Sequence, residues 1–287
     1  MTMIKSYVRR DLKGFRGNKN TPVFSIAMQK IILLLTCLGI SIFCFSQTDS
    51  SLFTPVTTSY FFDWGKDSTE ILLTQYGSRK GLVMVHLHDD EASSAEAAKK
   101  ILAQTGGLLI ELQNNGKRLV SFRKGGKRFQ FDPNRIFTAK GRSENLHFLN
   151  KSVTPGALSA VKAFSAFILK KIPKAVVTLV AVHNNENGNY SINSYKSGPH
   201  SKNVLKWYKN PRHDPDNFFI VNNNEMFKRI KKRGFNVILQ NSINAPDDGS
   251  LSIYYGKKNL VYVNIETEKG DLDEQVKMLN AVFSILR

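Results

Sequence analysis

The chain has 287 residues, 41% hydrophobic, 22% charged and 10% aromatic, with 19 Gly, 9 Pro and 2 Cys. Those proportions exclude a disordered, collagenous, coiled-coil or disulfide-stapled protein and leave a globular one of one or two domains. The 41 Lys and Arg against 23 Asp and Glu give a formal charge of +18, an excess that draws a protein towards anionic surfaces through its long-range field.

Part of that excess belongs to residues 1–47, which read as a leader and signal peptide. Ile31 to Phe45 carries no charge over fifteen residues and follows Lys30 directly. That is short for a membrane span, which needs about 18 residues, and suits a signal-peptide core. Met28-Gln29-Lys30 with the apolar run is a compact signal peptide by itself, so translation can start at Met28; the alternative is an uncleaved anchor. Both cysteines, Cys37 and Cys44, lie inside the run. A mature domain of residues 48–287 then has no thiol chemistry and, with seven basic and one acidic residue removed, a charge of +12. An exported basic domain fits an anionic cell-wall polymer or lipid head groups as neighbour. Nucleic acid is not expected, since no nucleic-acid motif is present.

Beyond the leader, apolar runs of strand length alternate with segments of helical period. Gly81 to His88 reads as a strand and Ser93 to Gln104 as a helix stopped by Gly106-Gly107. Leu108 to Leu112 and Leu119 to Phe122 read as strands joined by the hairpin signal Asn114-Asn115-Gly116. Gly156 to Ile172 has helical spacing. Ala175 to His183 is apolar nearly throughout, as suits a central strand covered on both faces. Asn184 to Pro215 is the longest irregular stretch. Glu225 to Lys232 reads as a helix, Asn236 to Gln240, Leu251 to Tyr255 and Leu260 to Ile265 as strands, and Asp271 to Leu286 as a closing helix. The expected fold is a single α/β domain with a mixed, mostly parallel central sheet flanked by helices.

His86-Leu87-His88-Asp89-Asp90-Glu91 packs possible metal ligands at the end of the first of these strands. His86 and His88 share a side of a strand, whereas His88 and Glu91 converge only if the chain turns after His88. The helix expected from Ser93 puts a turn there and favours the second pair. A second His-x-x-Glu occurs at His183 and Glu186. His88 and His183 each end an apolar strand, where open α/β sheets bind ligands. Two His and one Glu leave a fourth zinc position open. His86-x-His88-x-Asp90 also approaches the metallo-β-lactamase pattern, but Glu91 stands where that pattern needs His. His86 is expected to be packed or to support a ligand, and His147, His200 and His213 to be surface residues. The basic clusters Lys124 to Arg128 and Lys228 to Arg233 read as solvated faces.

The order His88-x-x-Glu91, Asp132-Pro133-Asn134-Arg135, His183 at a strand end and Glu266 on a late strand resembles the zinc carboxypeptidase superfamily. The spacing of 95 residues from His88 to His183 resembles its compact succinylglutamate desuccinylase and aspartoacylase branch. The resemblance implies Zn2+ held by His88, Glu91 and His183, with Glu266 as general base and acid, and Glu268 as the rival carboxylate. It also implies that Asp132 hydrogen-bonds the second ring nitrogen of His88, and that Asn134 and Arg135 hold a substrate carboxylate. An arginine before the motif would polarise the scissile carbonyl; Arg128 is the nearest, with Arg123 behind it. Tyr254 or Tyr255 would face the substrate. Pro133 departs from the family's usual aliphatic residue.

Nucleophile-elbow, P-loop and dinucleotide motifs are absent from the sequence. The chain therefore reads as an exported zinc amide hydrolase, a metallocarboxypeptidase or amidohydrolase-like deacylase. Its expected substrate is a small peptide or N-acyl amino acid with a free carboxylate, such as a cell-wall peptide. The rival is a catalytically silent domain of the same fold that binds anionic wall fragments.

Overall fold

A computed structural model describes residues 52–77, 82–197 and 200–287. The expected leader over 1–47, with Met28 and both cysteines, and the expected strand start at Gly81 lie outside the described residues. Ser50–Arg287 forms one compact unit. Among the described residues, no helix is long and apolar enough to cross a membrane.

The elements in chain order are β1 (Pro55–Asp63), β2 (Ser68–Tyr76), β3 (Leu82–His86), α1 (Ala92–Thr105), β4 (Gly107–Gln113), β5 (Val120–Lys124), β6 (Lys127–Phe131), α2 (Ala139–Leu149) and α3 (Pro155–Leu169). They continue as β7 (Thr178–Asn185), β8 (Val204–Tyr208), β9 (Phe218–Val221), α4 (Asn224–Lys232), β10 (Val237–Gln240), α5 (Leu251–Lys257), β11 (Val261–Glu268) and α6 (Leu272–Leu286). A nine-stranded mixed sheet runs in the order β1-β2-β4-β3-β7-β11-β9-β10-β8, and β5-β6 form a separate ribbon. The central strands β4, β3, β7 and β11 are parallel.

Every residue of β7 is buried, which accounts for the apolar run Leu179 to Val182 at its centre. Val180 and Val182 face one layer with Ile101 of α1, Ile230 of α4 and Val282 of α6. Leu179 and Ala181 face the other with Val161 and Phe164 of α3, and with Phe122 and Phe131 of the β5-β6 ribbon. Alternation along one strand thus fills two cores.

Two sequence expectations are corrected. No hairpin joins β4 to β5, because β4 is already hydrogen-bonded to β2 on one edge and β3 on the other. The left-handed turn at Asn115 and Gly116 is fastened instead to Asp89, whose Oδ2 accepts from the Asn114 N–H (2.6 Å) and the Gly116 N–H (2.7 Å). Leu251 to Tyr255 is helical, not extended. The Ser250 side chain accepts from the Ile253 N–H as an N-cap, and this capping prevails over the strand preference of Ile-Tyr-Tyr. The sequence also gave no warning of the β1-β2 pair, of β6 and α2, or of β8 and β9 within and after the stretch read as irregular.

Candidate active site

Three side chains converge at the carboxyl ends of β3 and β7. The chain turns after His88, with the Glu91 N–H donating to the His88 carbonyl at 3.0 Å, and α1 begins immediately afterwards. His88 Nδ1 lies 3.0 Å from Glu91 Oε1, His183 Nδ1 lies 3.0 Å from Glu91 Oε2, and the two Nδ1 atoms are 3.2 Å apart. All three residues are buried, and one ligand atom from each lies within 4.8 Å of the others. The Asn184 N–H also donates to Glu91 Oε2 at 3.1 Å, which ties the carboxylate to β7.

The donor set fits a metal ion. His88 Nε2 faces Asp132 Oδ1 at 2.8 Å, and an ionised carboxylate only accepts, so Nε2 carries the hydrogen and a neutral ring turns its Nδ1 lone pair inward. Lone pairs of nitrogen and carboxylate oxygen then face one another, and either a proton or a metal ion can stand between them. The same demand raises proton affinity: burial opposes charge on His88, yet Glu91 and Asp132 outweigh it and hold its pKa up to about 9. Burial likewise opposes charge on Glu91 and Asp132, but the facing histidines hold Glu91 well below the carboxylate range, and His88 does the same for Asp132. Two imidazoles and one carboxylate with positions left over match an open zinc site.

His86 supports rather than joins this group. Its Nε2 lies 3.1 Å from the Glu91 carbonyl, and burial lowers its pKa to about 4, so the ring is neutral.

A cavity of about 450 Å³ opens beside the triad. Glu266 lines it from β11, in register with His183 on β7. Its Oε1 accepts from Asn264 Nδ2 at 2.8 Å, and burial raises its pKa. Glu268, the rival carboxylate, accepts instead from the exposed Asn187 and is absent from the lining. Asn134 and Arg135 follow Asp132 on one short 3-10 turn, capped by the Asp132 side chain, and both line the cavity. Asn134 Oδ1 accepts from the Leu251 N–H at 3.2 Å.

Two expected residues stand elsewhere. Arg128 is exposed on β6, opposite Arg123 on β5, and its Nη2 donates to Ser121 Oγ at 3.3 Å; the ribbon carries it away from the cavity lining. Tyr254 packs against Phe137 and Tyr255 with Lys258 over its ring, and Tyr255 is buried in the core. Their helix, rather than the expected strand, turns both away.

Other residues occupy the places that sequence reasoning left vacant. Arg118, just past the Asn115-Gly116 turn, lines the cavity with Nη1 2.6 Å from Glu91 Oε1. Tyr190, Tyr195 and His200 line it from the stretch read as irregular, which corrects the expectation of a surface role for His200. The Tyr190 and Tyr195 hydroxyls contact each other, and burial pushes both tyrosines above their ordinary range. Burial lowers the His200 pKa, and Arg135 adds to the effect. Asp248 pairs with Arg135 Nη1. Only the basic residue after a Gly turn was a readable signal for Arg118; the others come from loops without a motif.

No protein-family model matches the chain, and no curated protein does. Among solved structures, it is similar to the murein-tripeptide amidase MpaA of Escherichia coli O157, with 16% identity and a TM-score of 0.44, covering 84% of this chain and 95% of that one. It is also similar to an aspartoacylase family protein of Mesorhizobium loti, with 14% identity and a TM-score of 0.38, covering 82% of this chain and 68% of that one. At these TM-scores, function has to be read from the geometry of the site.

Proposed function

We propose that the protein is a zinc-dependent amide hydrolase, of metallocarboxypeptidase or deacylase type, acting on a small peptide or N-acyl amino acid with a free carboxylate. One observation carries this reading: a buried His-Glu-His group shares a cavity with a buried carboxylate in strand register and with two guanidinium groups. Zinc held by His88, Glu91 and His183 would supply Lewis acidity and a water of lowered pKa. Glu266 takes the proton of the attacking water and returns it to the leaving amine. Its raised pKa makes it a stronger base than an exposed glutamate, and Asn264 keeps it aimed. Arg118, which lines the cavity where Arg128 does not, would polarise the scissile carbonyl. Arg135 offers its fork to the substrate carboxylate beside Asn134. Asp132 holds the His88 ring and fixes its tautomer.

Export to the periplasm or medium belongs to the same proposal and rests on the uncharged run Ile31 to Phe45 after Lys30. A cell-wall peptide is the substrate that this location and the basic charge favour.

Native mass spectrometry and turnover of N-acyl amino acids test the reading together. About one zinc per chain in the wild type, lost in His183→Ala, with hydrolysis abolished in a zinc-retaining Glu266→Gln, supports it. A folded wild type that takes up no zinc overturns it.

A further inference from the structure

We propose that the β8 edge of the sheet, with the basic face of α4 beside it, docks onto an anionic phospholipid bilayer. The proposal stands apart from the hydrolase reading, since none of the side chains that carry it lines the cavity.

Charge is unevenly placed along the chain. Residues 196–233 hold ten Lys and Arg against three Asp and Glu, a net +7 out of the +12 on residues 48–287. Among the described residues, Arg229 alone of these ten is ion-paired, to Glu225 at 3.0 Å. The fold sets two sources of this charge side by side, because β8 is the outermost strand of the sheet and α4 meets it. Lys206 Nζ on β8 donates to Asn224 Oδ1 on α4 at 3.2 Å, and Lys231 Nζ on α4 lies 5.1 Å from the centre of the Tyr208 ring on β8. Lys228, Lys231, Lys232 and Arg233 are all exposed. On the other face of β8, Lys196 Nζ sits 5.7 Å from the centre of the Trp207 ring. Rings and amides cancel no charge, so this edge carries an unanswered positive field that an anionic surface would neutralise.

Charge alone would suit any polyanion, and three exposed apolar side chains narrow the choice to lipid. The pairing of β8 with β10 skips a residue, since Lys206 faces Leu239 and Val204 faces Gln240. Leu205 falls in the gap, where a bulge re-aims the side chain, and it is 59% exposed. Trp207, two residues on, is 38% exposed. Ile243 is 90% exposed in the turn after β10. That turn is fastened to the start of β8 by the Asn241 N–H, which donates to the Asn203 carbonyl at 2.7 Å. A dissolved polyanion offers these apolar groups nothing. A bilayer interface takes both features at once: headgroup phosphates meet the lysines, and the apolar side chains enter the acyl boundary with Trp at headgroup level.

The test uses the full chain and vesicles of brominated phosphatidylcholine, with or without about 30% phosphatidylglycerol as the anionic component. Of the two tryptophans, Trp64 is 5% exposed, so quenching by the bromine reports Trp207 and is blind to insertion of Ile31 to Phe45. We expect the anionic vesicles to quench Trp207, less so as salt rises, and the neutral vesicles to leave it nearly unquenched. At fixed lipid concentration, the ratio of docked to free protein should fall about 100-fold when Lys206→Gln, Lys231→Gln and Lys232→Gln are combined, at about fivefold for each charge. Leu205→Ser should lower it about tenfold while leaving the binding of soluble polyglutamate unchanged. All four substitutions are at exposed positions, and circular dichroism matched to the wild type checks that the variants fold. Equal quenching by neutral and anionic vesicles would overturn the proposal. Absence of quenching in both, with salt-sensitive binding of polyglutamate, would overturn it in favour of a soluble anionic polymer.

Discussion

The two sides of the cavity are built on opposite principles. Around His88, Glu91 and His183, charged and polar atoms crowd onto one another, and each carboxylate is answered by a ring or a guanidinium. Around Gln240, Asn185 and Asn264, amide oxygens of equal burial have no answer at all. The first side rests on the ends of β3 and β7 and the turn into α1; the second joins Gln240 of β10 to Asn185 at the end of β7 and Asn264 on β11. The contrast suggests a division of labour, with a fixed centre suited to one chemistry and a wall suited to choosing the substrate.

The largest expected effect strikes the centre alone. His183→Ala should release the metal and bring hydrolysis to background while secondary structure by circular dichroism is retained; metal content unchanged from wild type would erase the contrast. Glu266→Gln should keep the metal and lower kcat by about 10²–10⁴-fold, the range for a lost general base. Asp132→Asn should weaken metal affinity by about 10–100-fold by releasing the His88 ring, read by competition with a chelator. Affinity within twofold of wild type would show that the ring is held by packing instead.

The wall is probed by stability. Gly249 has φ +80, and a Cβ there would meet the Arg135 carbonyl and Gly141. Gly249→Ala should cost about 1–3 kcal/mol, the usual range for overpacking, and raise KM while zinc content after dialysis stays at the wild-type level. The smallest effect is alkaline. Burial raises the pKa of Tyr190 and Tyr195 in the folded state, while in the unfolded chain they ionise near about 10. Their contribution to stability is therefore complete below about pH 10 and is lost as pH rises towards the folded values. Burial raises Tyr262 likewise, so tyrosinate absorbance should show at least three tyrosines that ionise only with unfolding, and Tyr190→Phe should reduce that number.

The centre was legible in the sequence because strands announce themselves. His88, His183 and Glu266 each follow an apolar run whose alternation fixes position and face, and the turn between His88 and Glu91 was implied by the helix after it. Asp132, Asn134 and Arg135 were legible as a motif on one short turn. The wall was not, since Tyr190, Tyr195, His200 and Asp248 sit in loops where no periodicity reports direction. Tyr254 shows a different failure: a β-prone Ile-Tyr-Tyr yielded to a serine cap, and the ring turned away. Arg128 is the nearest arginine along the chain, but the pairing of β5 with β6 carries it outward, and Arg118 lines the cavity instead.

The alignment of His183 with Glu266 across β7 and β11 has a consequence for how errors in this protein would announce themselves. Side chains alternate between sheet faces, so a slip of one residue between these strands would send the carboxylate into the opposite layer. For the proposed hydrolase, turnover is then a parity check on strand pairing: a misregistered molecule can be compact yet silent. The catalytic yield of a refolded preparation would count correctly paired molecules directly, which spectroscopic measures of secondary structure cannot do.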